Sequence, residues 1–271
     1  MMLAFVVSLV LSSSQAAEPS YYTVHDGTQP SLQSANQETS LQPLEAFSYL
    51  AATAAQAAAD MDLMSWDHHQ TPLVDPPDPY DRKSQYGTWV RDPRDQTCYN
   101  TRAKVLIRSS SVPVTFSGGR GCTVKTGQWH DPYSDRQYSD AADLQIDHVV
   151  PLKNSYISGG WKWDQQKKCL YANFLSNDFH LLAVDGGENM RKSDRTPEQF
   201  MPSNRAYACE YLSIWLKIKL IWNLAMTPSE ANAISQLAQQ NHCDSSILSI
   251  ASKELRQQRQ EIVDNMVLCA H

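Results

Sequence analysis

None of the six cysteines forms a Cys-x-x-Cys pair, which excludes a zinc ribbon of the usual ligand spacing. No uncharged apolar stretch is long enough to span a bilayer, and the apolar run at residues 3–11 is too short. Lys and Arg are missing from residues 18–78, which hold nine Asp/Glu, so this region has no electrostatic claim on a polyanion. No recognition helix or aromatic RNA-binding signature stands out, so any nucleic-acid contact is expected to be made to phosphate rather than to base edges.

Six cysteines fit an oxidising compartment, and fifteen pairings are open. Residues 1–17 read as a secretory signal, with small residues Ser12-Ser13-Ser14-Gln15-Ala16-Ala17 before a cut, although the usual leading Lys or Arg is lacking. Export to the outside or to a periplasm follows. The net charge of −6 is unevenly placed: residues 79–226 carry twenty Lys/Arg against fifteen Asp/Glu. A mildly basic middle allows a polyanion partner, and an ordinary mixed surface explains it equally well.

Four regions are expected. After the signal, residues 18–78 form an acidic, low-complexity region with an Ala-rich helix near 43–64 and a Pro-rich linker near 71–79. The main domain spans 79–243, and 244–271 is an amphipathic C-terminal helix. Cys98 and Cys122 flank an excursion that a disulfide would close. Thr227-Pro228-Ser229-Glu230 has the form of a capping box with Pro at the first helical position. Trp129, Trp161 and Trp163 read as core rather than as stacking platforms.

The chemistry centres on residues 143–152, Asp-Leu-Gln-Ile-Asp-His-Val-Val-Pro-Leu. Leu144, Ile146, Val149 and Val150 are strand formers, and Pro151 has no N–H for the ladder. Asp147 and His148 stand where the strand gives out. A carboxylate can bind a hard metal ion there, and an imidazole can accept a proton near pH 7. Two solvated polar residues at a strand end are the plain alternative. Asp67-His68-His69 is a rival pair, but it has no strand to hold it.

Asp147-His148, a second strand near 177–184, then Asn189 and Lys192 at the head of a helix resemble the HNH, or ββα-metal, nuclease motif. Tyr80-x-Arg82, Trp89, Cys98-x-x-Thr101-Arg102, Gly127-x-Trp129, Ser158-Gly159-Gly160-x-x-Trp163, Ala172-Asn173 and Asn177-Asp178 widen the resemblance. Over roughly residues 80–243 the chain resembles secreted nucleases related to the C-terminal domain of the GmrSD restriction enzymes. The resemblance implies an α+β fold, with a ββα-metal nuclease core and additional packed helices. It implies His148 as general base, with Asp147 and Asn189 holding one divalent ion, Mg²⁺ before Mn²⁺ or Zn²⁺. Lys192 and Arg195 would hold phosphate, with a solvated basic helix face as the alternative. Arg102 would contact phosphate or pair inside the fold. A Cys209–Cys243 bridge also follows, leaving Cys169 and Cys269 to pair or stay free. One departure stands out: the middle Asn of the motif is replaced by His180, which either orients His148 or is a core histidine.

The expected function is thus an exported, metal-dependent endonuclease acting on DNA, with RNA left open and little sequence preference. The alternatives are a non-catalytic nucleic-acid-binding scaffold and a phosphoesterase of small substrates.

Overall fold

The computed structural model describes residues 73, 75–244 and 250–270. The expected signal, most of the acidic region with its Ala-rich helix, and Asp67-His68-His69 lie outside the described residues.

Local signals set the helices around the site. Asp81 caps α1 (Arg82–Tyr86) by accepting the Ser84 N–H, and Asn100 caps α2 (Thr101–Ser109) by accepting that of Ala103. Strands β1 (Thr115–Ser117), β2 (Thr123–Asp131) and β3 (Arg136–Asp140) form an antiparallel sheet in that order. Strand β3 is an element the sequence reading lacked. Trp129 of β2 is fully buried and donates its indole N–H to the Leu106 carbonyl of α2 at 2.8 Å.

Strands β4 (Leu144–His148) and β5 (Leu181–Asp185) form a separate antiparallel pair, with His148 opposite Leu181 and Asp147 opposite Leu182. Two helices, α3 (Leu152–Ile157) and α4 (Gln165–Asn173), run between them, and α5 (Gly186–Lys192) follows β5 at once. Successive strand residues face opposite ways. Leu144 and Ile146 therefore pack with Leu181, Ala183, Val105 and Trp129 on one face. Val184 on the other face joins the larger core with Tyr171, Tyr211, Trp215 and Ile218.

Helices α6 (Ala208–Ile221), α7 (Pro228–Gln240) and α8 (Ser252–Asn265) complete the larger core. Thr227 caps α7 as expected, accepting the Glu230 N–H at 3.0 Å. The Glu230 carboxylate is spent elsewhere, buried against Lys219 at 3.2 Å and the Trp215 indole at 2.7 Å. Ile250, Ile262 and Leu268 belong to the same core, so the C-terminal helix is packed on the main fold rather than appended to it. Disulfides join Cys98 to Cys122, Cys209 to Cys243, and Cys169 of α4 to Cys269. The two cysteines left open by the sequence thus pair across 100 residues. The fold is α+β, with two small sheets and several helices.

Candidate active site

Strand alternation separates the two central residues. Asp147 points to the α5 side of the β4–β5 pair, and His148 to the α2 side. On the α5 side a helical repeat meets a strand repeat. Asn189 and Lys192, one turn apart, lie over Gln145 and Asp147, which are two residues apart. Asn189 Nδ2 donates to Gln145 Oε1 at 2.7 Å. Lys192 Nζ donates to Asp147 Oδ1 and to the His148 carbonyl, both at 2.9 Å. Tyr133, delivered by the turn after β2, donates its hydroxyl to Asp147 Oδ2 at 2.7 Å.

This cluster is sealed. Lys192 has no exposed surface and Asp147 is 4 % exposed. Burial pushes the Asp147 carboxyl up, against the pull of Lys192; burial pushes the Lys192 ammonium down, against the pull of Asp147. Burial also holds the Tyr133 phenol well above its usual value, so it stays a donor.

The expected roles of these residues change accordingly. Lys192 does not present a solvated helix face; as placed, its ammonium is buried and paired. Both Asp147 oxygens are engaged, so Asp147 and Asn189 as placed do not make a cradle for a divalent ion. Among the described residues no group of three or more His, Cys, Asp or Glu could hold one either.

His148 is held differently. Its Nε2 lies 3.0 Å from the Ala172 carbonyl, which can only accept, so the ring proton sits on Nε2 and the lone pair on Nδ1. The Trp89 ring stacks on the imidazole, 5.4 Å between centres and 8° from parallel. Asn173 fixes that tryptophan by binding the backbone on both sides of it. It accepts from Val90 N–H at 3.0 Å and donates to the Thr88 carbonyl at 3.2 Å. Burial holds the His148 pKa well below its usual 6.5, helped by His180, Arg82 and Lys192 and opposed by the Ala172 bond. The imidazole is therefore neutral at pH 7, and its Nδ1 has no hydrogen-bond partner among the described residues and is not one of the sealed polar atoms.

His180 is buried behind it. Its Nε2 donates to the Tyr171 carbonyl at 2.7 Å, and its Nδ1 is sealed without a partner. The two imidazoles meet edge to face, 6.3 Å between centres, with no hydrogen bond between them. His180 thus fills space beside His148 without orienting it by a side-chain bond. The main chain does the tying, through Val149 N–H to the His180 carbonyl at 3.3 Å. Asn177 supports that turn by accepting the His180 N–H at 2.9 Å.

Of the remaining expected residues, Arg102 is structural. Its guanidinium binds the Ala141 and Leu144 carbonyls at 2.9 and 3.0 Å, tying α2 to the start of β4. Arg195 is exposed just beyond α5 and turns back to the Arg191 carbonyl. Sequence reasoning missed Tyr133 and Gln145 as partners of the site. Only the matched spacings of 145/147 and 189/192 could have flagged Gln145.

Residues 105–237 match the family described as GmrSD restriction endonucleases, C-terminal domain. An "Uncharacterized secreted protein" of Arthroderma benhamiae is 35 % identical over 162 residues, covering 60 % of this chain and 76 % of that protein. No solved structure matches.

Proposed function

Because the chain belongs to the family of GmrSD restriction endonuclease C-terminal domains, we propose that it is an exported nuclease built on a ββα, HNH-type arrangement, with His148 as general base. The substrate is DNA, with RNA as a second polymer to be tested, and phosphate contacts make sequence preference low. One observation carries this reading: a neutral imidazole whose proton is fixed on Nε2 by Ala172 and whose open nitrogen is Nδ1. A water beside Nδ1 gives its proton to His148 as its oxygen bonds to phosphorus, and the 3′ oxygen leaves with the electron pair of the broken P–O bond. Trp89 holds the ring plane during the transfer. Arg82, exposed at the start of α1, is a cation whose field reaches His148. The secreted relative and three disulfides support export. No helix among the described residues is long and apolar enough to cross a membrane.

A divalent ion would neutralise charge on the leaving oxygen. With Asp147 engaged by Lys192, the residues as placed offer it no site, and no step here depends on it. The same sealed carboxylate favours one rival, a nucleic-acid-binding scaffold without catalysis.

The test is cleavage of plasmid DNA and of RNA in Mg²⁺, Mn²⁺, Zn²⁺ and EDTA. The wild-type chain is expected to cut, and His148→Ala to lose about 100-fold or more. Undiminished cutting by His148→Ala would sink the mechanism. Tight DNA binding with no cleavage in any ion would decide for the scaffold.

A further inference from the structure

The turn between α3 and α4 brings Trp161 and Trp163 to the edge of the larger core, where they are partly buried. Gly159 takes φ +118°, and a Cβ on Gly160 would stand 2.6 Å from the Ser155 carbonyl oxygen, so this turn requires both glycines. It leaves Trp161 and Trp163 half-buried, unlike the fully buried Trp129.

Each of these rings carries an ammonium. Lys162 Nζ lies 5.0 Å from the Trp161 ring centre, and Lys167 Nζ 5.0 Å from that of Trp163. Lys168 Nζ lies 5.7 Å from the ring of Tyr156. Residues 151–170 hold four lysines against one aspartate, Asp164, which caps α4. Of the four, only Lys153 reaches a carboxylate, that of Asp194, among the described residues. Lys162, Lys167 and Lys168 are thus cations resting on ring faces.

Trp163 is linked to the proposed base through the core. Tyr171 packs against Trp163, 5.5 Å between centres, and lies parallel to His148 at 6.4 Å. Tyr171 is fully buried, so Trp163 and the imidazole are joined through the core.

We infer that Trp161 and Trp163, with Lys162 and Lys167, are a stacking platform for a single-stranded nucleic acid. The inference rests on the nuclease reading and names its substrate form. Ammonium groups that leave the rings for phosphates uncover π-faces on which unpaired bases stack. A duplex keeps its bases stacked on one another and offers such rings nothing but its edge.

The experiment uses the full exported chain carrying His148→Ala, so that binding is read without cleavage. Its probe is a fluorescein-labelled DNA strand of about 12 nucleotides, alone or annealed to its complement. By anisotropy the single strand is expected to bind more tightly than the duplex. Trp161→Ala is expected to weaken single-strand binding about fivefold or more, with Trp161→Phe recovering part of it. Lys162→Ala is expected to lower the slope of log affinity against log salt by about one. Melting temperatures unchanged from the parent show that the variants fold. Equal affinity for strand and duplex, or Trp161→Ala binding as tightly as its parent, overturns the platform even if the wild-type chain cuts DNA. A chain that never cuts but shows the Trp161-dependent preference keeps the platform and loses the nuclease.

Discussion

Lys192→Met removes one charge from the sealed cluster while keeping most of the side-chain volume. The Asp147 carboxylate then faces Tyr133 alone at 4 % exposure. Left ionised, such a buried partner costs about 3–5 kcal/mol. It can escape only by taking a proton. Doing so at pH 7, against an ordinary carboxyl value of 3.8, costs about 4 kcal/mol, which caps the loss. The His148 carbonyl also loses its donor, worth about 1 kcal/mol. The expected destabilisation is therefore about 4–5 kcal/mol at pH 7. The sign with pH follows from linkage. Without Lys192 the folded-state carboxyl pKa lies above its unfolded value, so the penalty grows as pH rises above about 4 and shrinks as pH falls. Near pH 4.5 about 2 kcal/mol should remain. Urea unfolding of wild type and Lys192→Met at both pH values, disulfides intact, measures this. At about 2–4 °C per kcal/mol, melting at pH 7 should drop by roughly 8–20 °C. Replacing both members, Asp147→Leu with Lys192→Met, should recover most of the loss. A loss under about 1 kcal/mol at pH 7, or one that is equal at both pH values, would refute the reasoning.

His180 should impose an opposite acid limit. Burial takes its pKa down to about 4 from 6.5, so the stability tied to its neutral form is complete above pH 6.5 and falls as pH drops towards 4, by up to about 3 kcal/mol. His180→Gln should flatten urea midpoints over that range, and an unchanged slope would show that another group sets it. Replacing Cys169 and Cys269 by alanine opens a closure spanning 100 residues and should cost about 3–5 kcal/mol in urea unfolding, with loss near zero counting against the entropic account.

Much of the hairpin was legible before the structure. The β-branched and aliphatic residues of 144–150 and the breaker at Pro151 announce β4, and Asp185-Gly186-Gly187 announces the turn into α5. Strand β3 was not, because Arg136-Gln137-Tyr138-Ser139-Asp140 is largely exposed and has no apolar alternation to read. Helix α3 was hidden by Pro151, which reads as a stop for the strand and also serves as the N-cap residue of the next element. The proposed base at His148 was legible from its strand. The meeting of Tyr133, Asp147 and Lys192 was not, since it joins three distant segments. A lysine in a short polar helix carries no mark of burial: Lys192 is held by Asp147 and the His148 carbonyl, with Asn189, one turn earlier, docked on Gln145. Trp129 is core as read, and Trp161 and Trp163 pack at the edge of the core, where their half-exposure depends on a glycine turn whose direction composition does not fix.

The last turn of α4 has a mechanical consequence. A helix leaves its final carbonyls without partners of its own. Two consecutive ones, Tyr171 and Ala172, are taken by His180, from the bend before β5, and by His148, from the end of β4. The imidazoles are therefore ganged to one short shaft, whose position Cys169 pins to the C-terminal segment. Fraying that shaft by a single turn would release both rings together, so neither can be retuned while the other stays put.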